Sequence, residues 1–277
     1  MTATDDLVVR RGEAPLLLSM PHVGTDIPDD IAAGLVSPWL ARKDADWWIE
    51  ALYGFAAAFD ATIVRARVSR TVIDVNRDPA GVSLYPGQAT TGLCPLETFD
   101  GEPLYQPGRA PDAAEIDRRR RQHFAPYHAA LTAEIGRLRA EHPAIVLYDC
   151  HAIRSEIPRL FDGQLPVFNL GTNGGAAAAP ALRAALIDAL AASGQTYVAD
   201  GRFKGGYITR HYGRPAEGVE AVQMEIAMRG YLDEPEGAVS PANWPVAFEA
   251  ERAAATAAVL RRLIERCLDH AHRRAMG

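Results

Sequence analysis

Cysteine is scarce in this chain: Cys94, Cys150 and Cys267 are the three in 277 residues. They are far apart, odd in number and without CxxC spacing. That excludes a disulfide framework and fits a reducing, cytoplasmic setting. Long hydrophobic runs are also missing, and none approaches the ~20 residues of a membrane span. The opening "MTATDDLVVRRGEAP" has no basic segment leading into an apolar one, so no signal peptide is read there. Positive charge is in deficit, with a net charge of −6. A nucleic-acid partner needs a basic surface and is not expected. A small anionic substrate stays compatible, because a local cationic pocket can sit within an acidic protein.

Apolar strand-like runs alternate with helical patterns along the chain. "LVVR", "PLLLS", "ATIVRARV", "TVIDVN", "AIVLYDC", "LPVFNLGT", "TYVAD" and "VEAVQMEIAM" read as strands. Between them, Asp44 to Phe59 reads as an amphipathic helix with Trp48, Leu52, Phe55 and Phe59 on one face. The stretch from Pro111 to His142 reads as a long helix bent near Pro126, its Arg118 to Arg121 run forming a solvated face. "APALRAALIDALAASG" and a last helix from about Val246 to Met276 complete the pattern. Such alternation predicts an α/β fold with a largely parallel sheet covered on both sides. No linker or repeat divides it, and residues 1–277 read as a single catalytic domain. Asp78 to Arg109 is a long Pro- and Gly-rich loop of the kind that carries function.

In open α/β sheets ligands bind beyond the carboxyl ends of strands. There the apolar run "LLLSM" is followed by Pro21 and His22, and "IVLYDC" ends on His151. Two strand-end imidazoles can converge on one ion, and catalytic zinc takes three protein ligands and a water. Asp44 and Asp46 precede a helix and equally suit an N-cap. Asp149 suits a histidine N–H acceptor. In "VSRTVIDVNRDP", Arg70 and Arg77 either pair with Asp74 or, with Asn76, clamp a carboxylate. "GGYITRHYG" places Thr209 and Arg210 behind two glycines and suits a binding loop. Glu225 stands in an apolar strand, where a carboxylate is costly unless it is paired or serves as a base.

"SMPHVGTDIP", "DADWWIEALY", "SRTVIDVNRDP", "YDCHA", "FNLGTNGG", "GGYITRHYG" and "QMEIA", in that order from Ser19 to Ala227, together resemble the N-formylglutamate amidohydrolase family. That family is similar in fold to zinc carboxypeptidases. The resemblance implies a three-layer α/β/α sandwich around a mixed, largely parallel sheet with one Zn²⁺ per chain. It implies hydrolysis of N-formyl-L-glutamate to formate and L-glutamate, a step of histidine degradation. It gives His22 and His151 as metal ligands, Glu225 as general base and Arg70 as the group polarising the scissile carbonyl. It matches Asn76 and Arg77 to a carboxylate clamp, with Arg210 expected at the substrate's second carboxylate. Zinc carboxypeptidases use a His-x-x-Glu ligand pair, but Thr25 stands three residues after His22. The carboxylate ligand is therefore expected from the Asp44–Asp46 segment, with Asp46 favoured. Mn²⁺, Fe²⁺ or Co²⁺ would suit the same donors. The alternatives are an amidohydrolase for another N-formyl or N-acyl amino acid and a non-catalytic binder of small acids.

Overall fold

The computed structural model of the chain describes residues 6–82 and 91–275. Residues 83–90 of the expected long loop lie outside the described residues. Seven strands form one sheet: β1 (Leu7–Arg10), β2 (Leu16–Met20), β3 (Thr62–Ala66), β4 (Ile145–Ile153), β5 (Phe168–Gly171), β6 (Tyr197–Ala199) and β7 (Val219–Ala227). Their order is β1-β3-β2-β4-β7-β5-β6. The four strands from β3 to β7 run parallel. Strand β1 is antiparallel to β3, and β5 is antiparallel to β7. The sheet is thus mixed, as expected.

The helices are α1 (Asp29–Ala32), α2 (Ile49–Leu52), α3 (Ala113–Arg119), α4 (Ala125–Glu141), α5 (Pro180–Ala191), α6 (Tyr207–Tyr212) and α7 (Ala250–Ala275). On one sheet face Val146, Tyr148, Cys150 and Ala152 of β4 pack with Ile49 of α2, Leu186 of α5 and Leu260 of α7. On the other, Ile145 and Leu147 pack with Leu131 and Leu138 of α4. These are three layers, α/β/α. Strands β2, β4 and β7 are buried along their full length, which is why they read as nearly continuous apolar runs. Each of the fully buried leucines of β2 contributes ~1.5–3 kcal/mol relative to exposure. No helix among the described residues is long and apolar enough to cross a membrane.

Three expected elements differ. The segment from Asp44 to Phe59 is not one helix. It is a turn, the short α2 and a 3₁₀ stretch over Gly54–Phe59. Its start is broken by Trp48, held at φ 64° in the left-handed region. Such a conformation costs a bulky residue about 1–3 kcal/mol. The run "TVIDVN" is not a strand; residues 71–76 form turns, despite their β-branched side chains. Its backbone instead follows the side-chain hydrogen bonds of Asp74. The Arg118–Arg121 run is not wholly solvated. Arg119 is buried, donating to Glu115, to the Val72 carbonyl and to the Tyr105 hydroxyl. In the same helical stretch, a single π-helical turn at Arg120–Phe124 precedes Pro126.

Candidate active site and metal centre

Side chains two apart on a strand share a face. On β4, that rule puts Asp149 and His151 on the same face as Ile145 and Leu147. The face is apolar where α4 covers it and becomes polar towards the strand's carboxyl end. Across the β4–β7 ladder, Asp149 is in register with Gln223, and His151 with Glu225. His22 follows β2 by two residues and lies beside this patch. Gly24 lets its loop pass close to the neighbouring chain, since a Cβ there would lie 2.4 Å from the Val68 carbonyl oxygen.

His22, Asp46 and His151 present one ligand atom each, all within 4.8 Å of one another, and all three residues are buried. The Asp46 backbone N–H donates to the His22 carbonyl at 3.0 Å, tying the two loops together. The left-handed Trp48 then turns the chain away from Asp46 into α2.

Each imidazole is held from behind by another carboxylate. His22 Nε2–H donates to Asp74 Oδ1 at 2.7 Å, which leaves the lone pair on Nδ1. That Nδ1 is buried, has no hydrogen-bond partner and faces Asp46 Oδ2 at 3.8 Å. His151 sets its Nε2 2.9 Å from Asp149 Oδ2 and its Nδ1 2.9 Å from Asp46 Oδ2. Asp46 Oδ1 is likewise buried without a hydrogen-bond partner, with the Arg70 guanidinium 3.7 Å away. Orphaned buried polar atoms are costly unless a ligand satisfies them. Two Nδ1 atoms and a carboxylate, each imidazole braced by an aspartate, are a donor set that could hold a divalent metal. These residues fit the expected ion.

Electrostatics agree with that reading. Burial, then Arg70, lowers the His22 pKa and favours the neutral imidazole a metal requires. His151 is raised well above the ordinary range. Burial opposes this, but Asp149 and Asp46 on either side outweigh it. The pair of carboxylates thus makes a place for one positive charge. Asp74 is lowered well below the carboxylate range because Arg77, His22 and Arg70 outweigh its burial. Glu225 is raised to about 7, chiefly by burial, with His151 partly offsetting. Its Oε2 accepts from Gln223 Nε2 at 3.1 Å.

One cavity is lined by His22, His151 and Glu225 together with Arg70, Asn76 and Arg77. Arg70 donates to Asp74 at 2.7 Å and lies over the Phe99 ring at 4.8 Å. Arg77 donates from three positions, to Thr91 O, Thr91 Oγ1 and Asn76 O. Asn76 is drawn inward. Its Nδ2 donates to Asp149 at 3.0 Å and lies 2.8 Å from His151 Nε2, while its Oδ1 accepts from the Ile208 N–H. Gly206 permits this, because a Cβ there would lie 2.5 Å from the Asn76 amide.

The expected binding loop is helix α6. Arg210 donates through Nε to the Gly205 carbonyl at 2.8 Å, and Thr209 is fully buried. Neither is among the residues lining the cavity, whereas Arg202 and Phe203 are. Sequence reading missed those two, as well as the bond between Asp74 and His22. That bond spans 52 residues and leaves no local signal.

The family model for N-formylglutamate amidohydrolase matches residues 14–232. A relative named N-formylglutamate deformylase from Pseudomonas aeruginosa is 48% identical over 264 residues, covering 95% of this chain and 96% of the relative. Another of that name, from Pseudomonas putida, is 44% identical over 263 residues, covering 95% of each. The crystal structure of an N-formylglutamate amidohydrolase from Ralstonia eutropha superposes with a TM-score of 0.74 at 25% identity, covering 96% of this chain and 97% of that one. From the match of the family model and the extent of these identities, the chain belongs to the N-formylglutamate amidohydrolase family.

Proposed function

We propose that the protein hydrolyses N-formyl-L-glutamate to formate and L-glutamate with a divalent metal, Zn²⁺, held by His22, Asp46 and His151. The substrate is carried over from the names of the two relatives. One observation carries the chemistry. The unpartnered Nδ1 of His22 faces Asp46 at the edge of a cavity that Glu225 also lines.

A metal held there supplies Lewis acidity, bringing the pKa of a water towards ~7. The remaining work falls to the chain. Glu225 accepts the water proton as the oxygen attacks the formyl carbon. Burial holds its pKa about neutrality, between water's proton and the amine's need for one. Arg70 donates to the oxyanion that develops on the formyl oxygen. Asp74 anchors the guanidinium beforehand, so little reorganisation is needed. Glu225 then returns the proton to nitrogen as the C–N bond breaks. Formate and the free amine of glutamate leave. Arg77, which uses three N–H groups on backbone and Thr91, holds a substrate carboxylate with those remaining. Asn76 acts beside it, fixing His151 and the start of α6.

Metal analysis combined with a formate-release assay tests this. One equivalent of metal is expected, with turnover lost to a chelator and restored by Zn²⁺. Formate release that persists in chelator-treated, metal-free protein would overturn it.

A further inference from the structure

A general base must aim one oxygen at the proton it takes, and a carboxylate free to rotate aims neither. Among the described residues, the Glu225 carboxylate takes one hydrogen bond: its Oε2 accepts from Gln223 Nε2 at 3.1 Å. Gln223 stands two residues before Glu225 on β7, so the two share a face, and both line the cavity. The other end of the Gln223 side chain is engaged as well. Its Oε1 accepts from the Gly206 N–H at 2.7 Å. A backbone N–H only donates, so it requires the oxygen of the amide on its side. The buried Gln223 amide therefore has one permitted orientation, with its NH₂ towards Glu225. Gly206 is fixed in turn. It opens α6 against the Asn76 amide, which also accepts from the Ile208 N–H.

We propose that Gln223 is the positioning residue of the general base. Its N–H holds Oε2 of Glu225 and so dedicates Oε1 to the proton taken from water. A proton on Oε1 leaves the Gln223 bond intact, whereas one on Oε2 competes with it. The water O–H bond breaks as the Oε1–H bond forms. The same oxygen later gives that proton to the leaving nitrogen, and the carboxylate need not turn between the two transfers. Gln223 touches no reacting atom in this role; it acts through Glu225. The assignment rests on the hydrolase reading above and adds to it what aims the base. It also ties the base to α6, because one amide serves both Gly206 and Glu225.

The test is a double-mutant cycle on N-formyl-L-glutamate with metal-loaded protein. Gln223→Met keeps length and loses both hydrogen bonds. Gln223→Asn stays polar but is a methylene too short to span from Gly206 to Glu225. Each is expected to lower kcat roughly 10–100-fold, the size of a lost charged hydrogen bond and a misaimed base, with KM within about threefold. In the Glu225→Gln background the same changes should cost less than about threefold more, because residues that act as a unit are not additive. Losses that add in that background, or a KM that rises as far as kcat falls, would make Gln223 a support of α6 only. Crystal structures of the metal-loaded proteins read the aim without turnover. Glu225 Oε2 should lie on Gln223 Nε2 in wild type, and the carboxylate should shift or spread over rotamers in the variants. A carboxylate unmoved in the variants, or one lying off Gln223 in wild type, would overturn the assignment. Wild type that releases no formate would instead sink the hydrolase reading, and the crystal structures would still decide whether Gln223 sets the carboxylate.

Discussion

Two buried clusters of charge on this sheet are built oppositely. On α4, Glu134 is almost fully buried, and both its oxygens are satisfied: Oε1 by Arg11 and Oε2 by Arg137. Arg137 reaches on to Gly12, Glu13 and Thr62. At the carboxyl ends of β2 and β4, a cluster just as buried leaves His22 Nδ1, Asp46 Oδ1 and Asp149 Oδ1 without hydrogen-bond partners. The first cluster closes on itself and joins elements. The second spends its outer atoms on holding its inner ones, then points those at a cavity. Burial and charge alone do not separate structure from function. These two clusters differ in how far their hydrogen-bonding capacity is saturated.

Substitutions can break this contrast. Glu225→Gln keeps shape and hydrogen bonding but removes the base. It should retain metal while kcat falls ~10²–10⁴-fold; near-full turnover would place the base elsewhere. Asp74→Asn should weaken metal affinity ~10–100-fold, because the brace behind His22 is lost. Competition with a chromogenic chelator measures this, and unchanged affinity would make Asp74 only an arginine partner. Arg77→Ala should raise KM about tenfold with a smaller change in kcat, the mark of lost ground-state binding.

The closed cluster should behave differently. Glu134→Gln is expected to cost about 1 kcal/mol of stability, since Arg11 and Arg137 are partly in water, with metal content and kcat unchanged. Burial opposes the lowering of the Glu134 pKa, but Arg137 and Arg11 outweigh it. Its contribution is therefore complete above the ordinary glutamate value of 4.5 and is lost as pH falls through the depressed folded value. Denaturation midpoints against pH should show a shallower acid decline in Glu134→Gln than in wild type. Parallel curves would refute the assignment.

Sequence carried the strand ends well. An apolar run that stops on His22 or His151 is visible without any structure, and so is Glu225 as an acid within the largely apolar β7. The resemblance supplied the sheet class, but chain position alone could not choose between Asp44 and Asp46. The structure separates them: Asp46 faces the histidines, while Asp44 accepts from the Phe99 N–H and from Arg154. Residues 71–76 were misread because Val72, Ile73 and Val75 favour strands locally, yet long-range bonds from Asp74 bend them into turns. Arg119 was misread because its neighbours in the basic run are solvated. Arg202 carries no motif at all; it becomes visible only when the cavity is traced.

The register that seats His151 opposite Glu225 also has a kinetic consequence. Both residues belong to central strands whose amides are locked into neighbouring ladders. Their relative position is set by the spacing between adjacent strands, about 4.8 Å, and not by any loop. Such amides exchange with solvent only when the whole fold opens. Heat inactivation of the metal-loaded protein should therefore coincide with cooperative unfolding, leaving no temperature range in which the fold persists and the ligand–base pair has come apart.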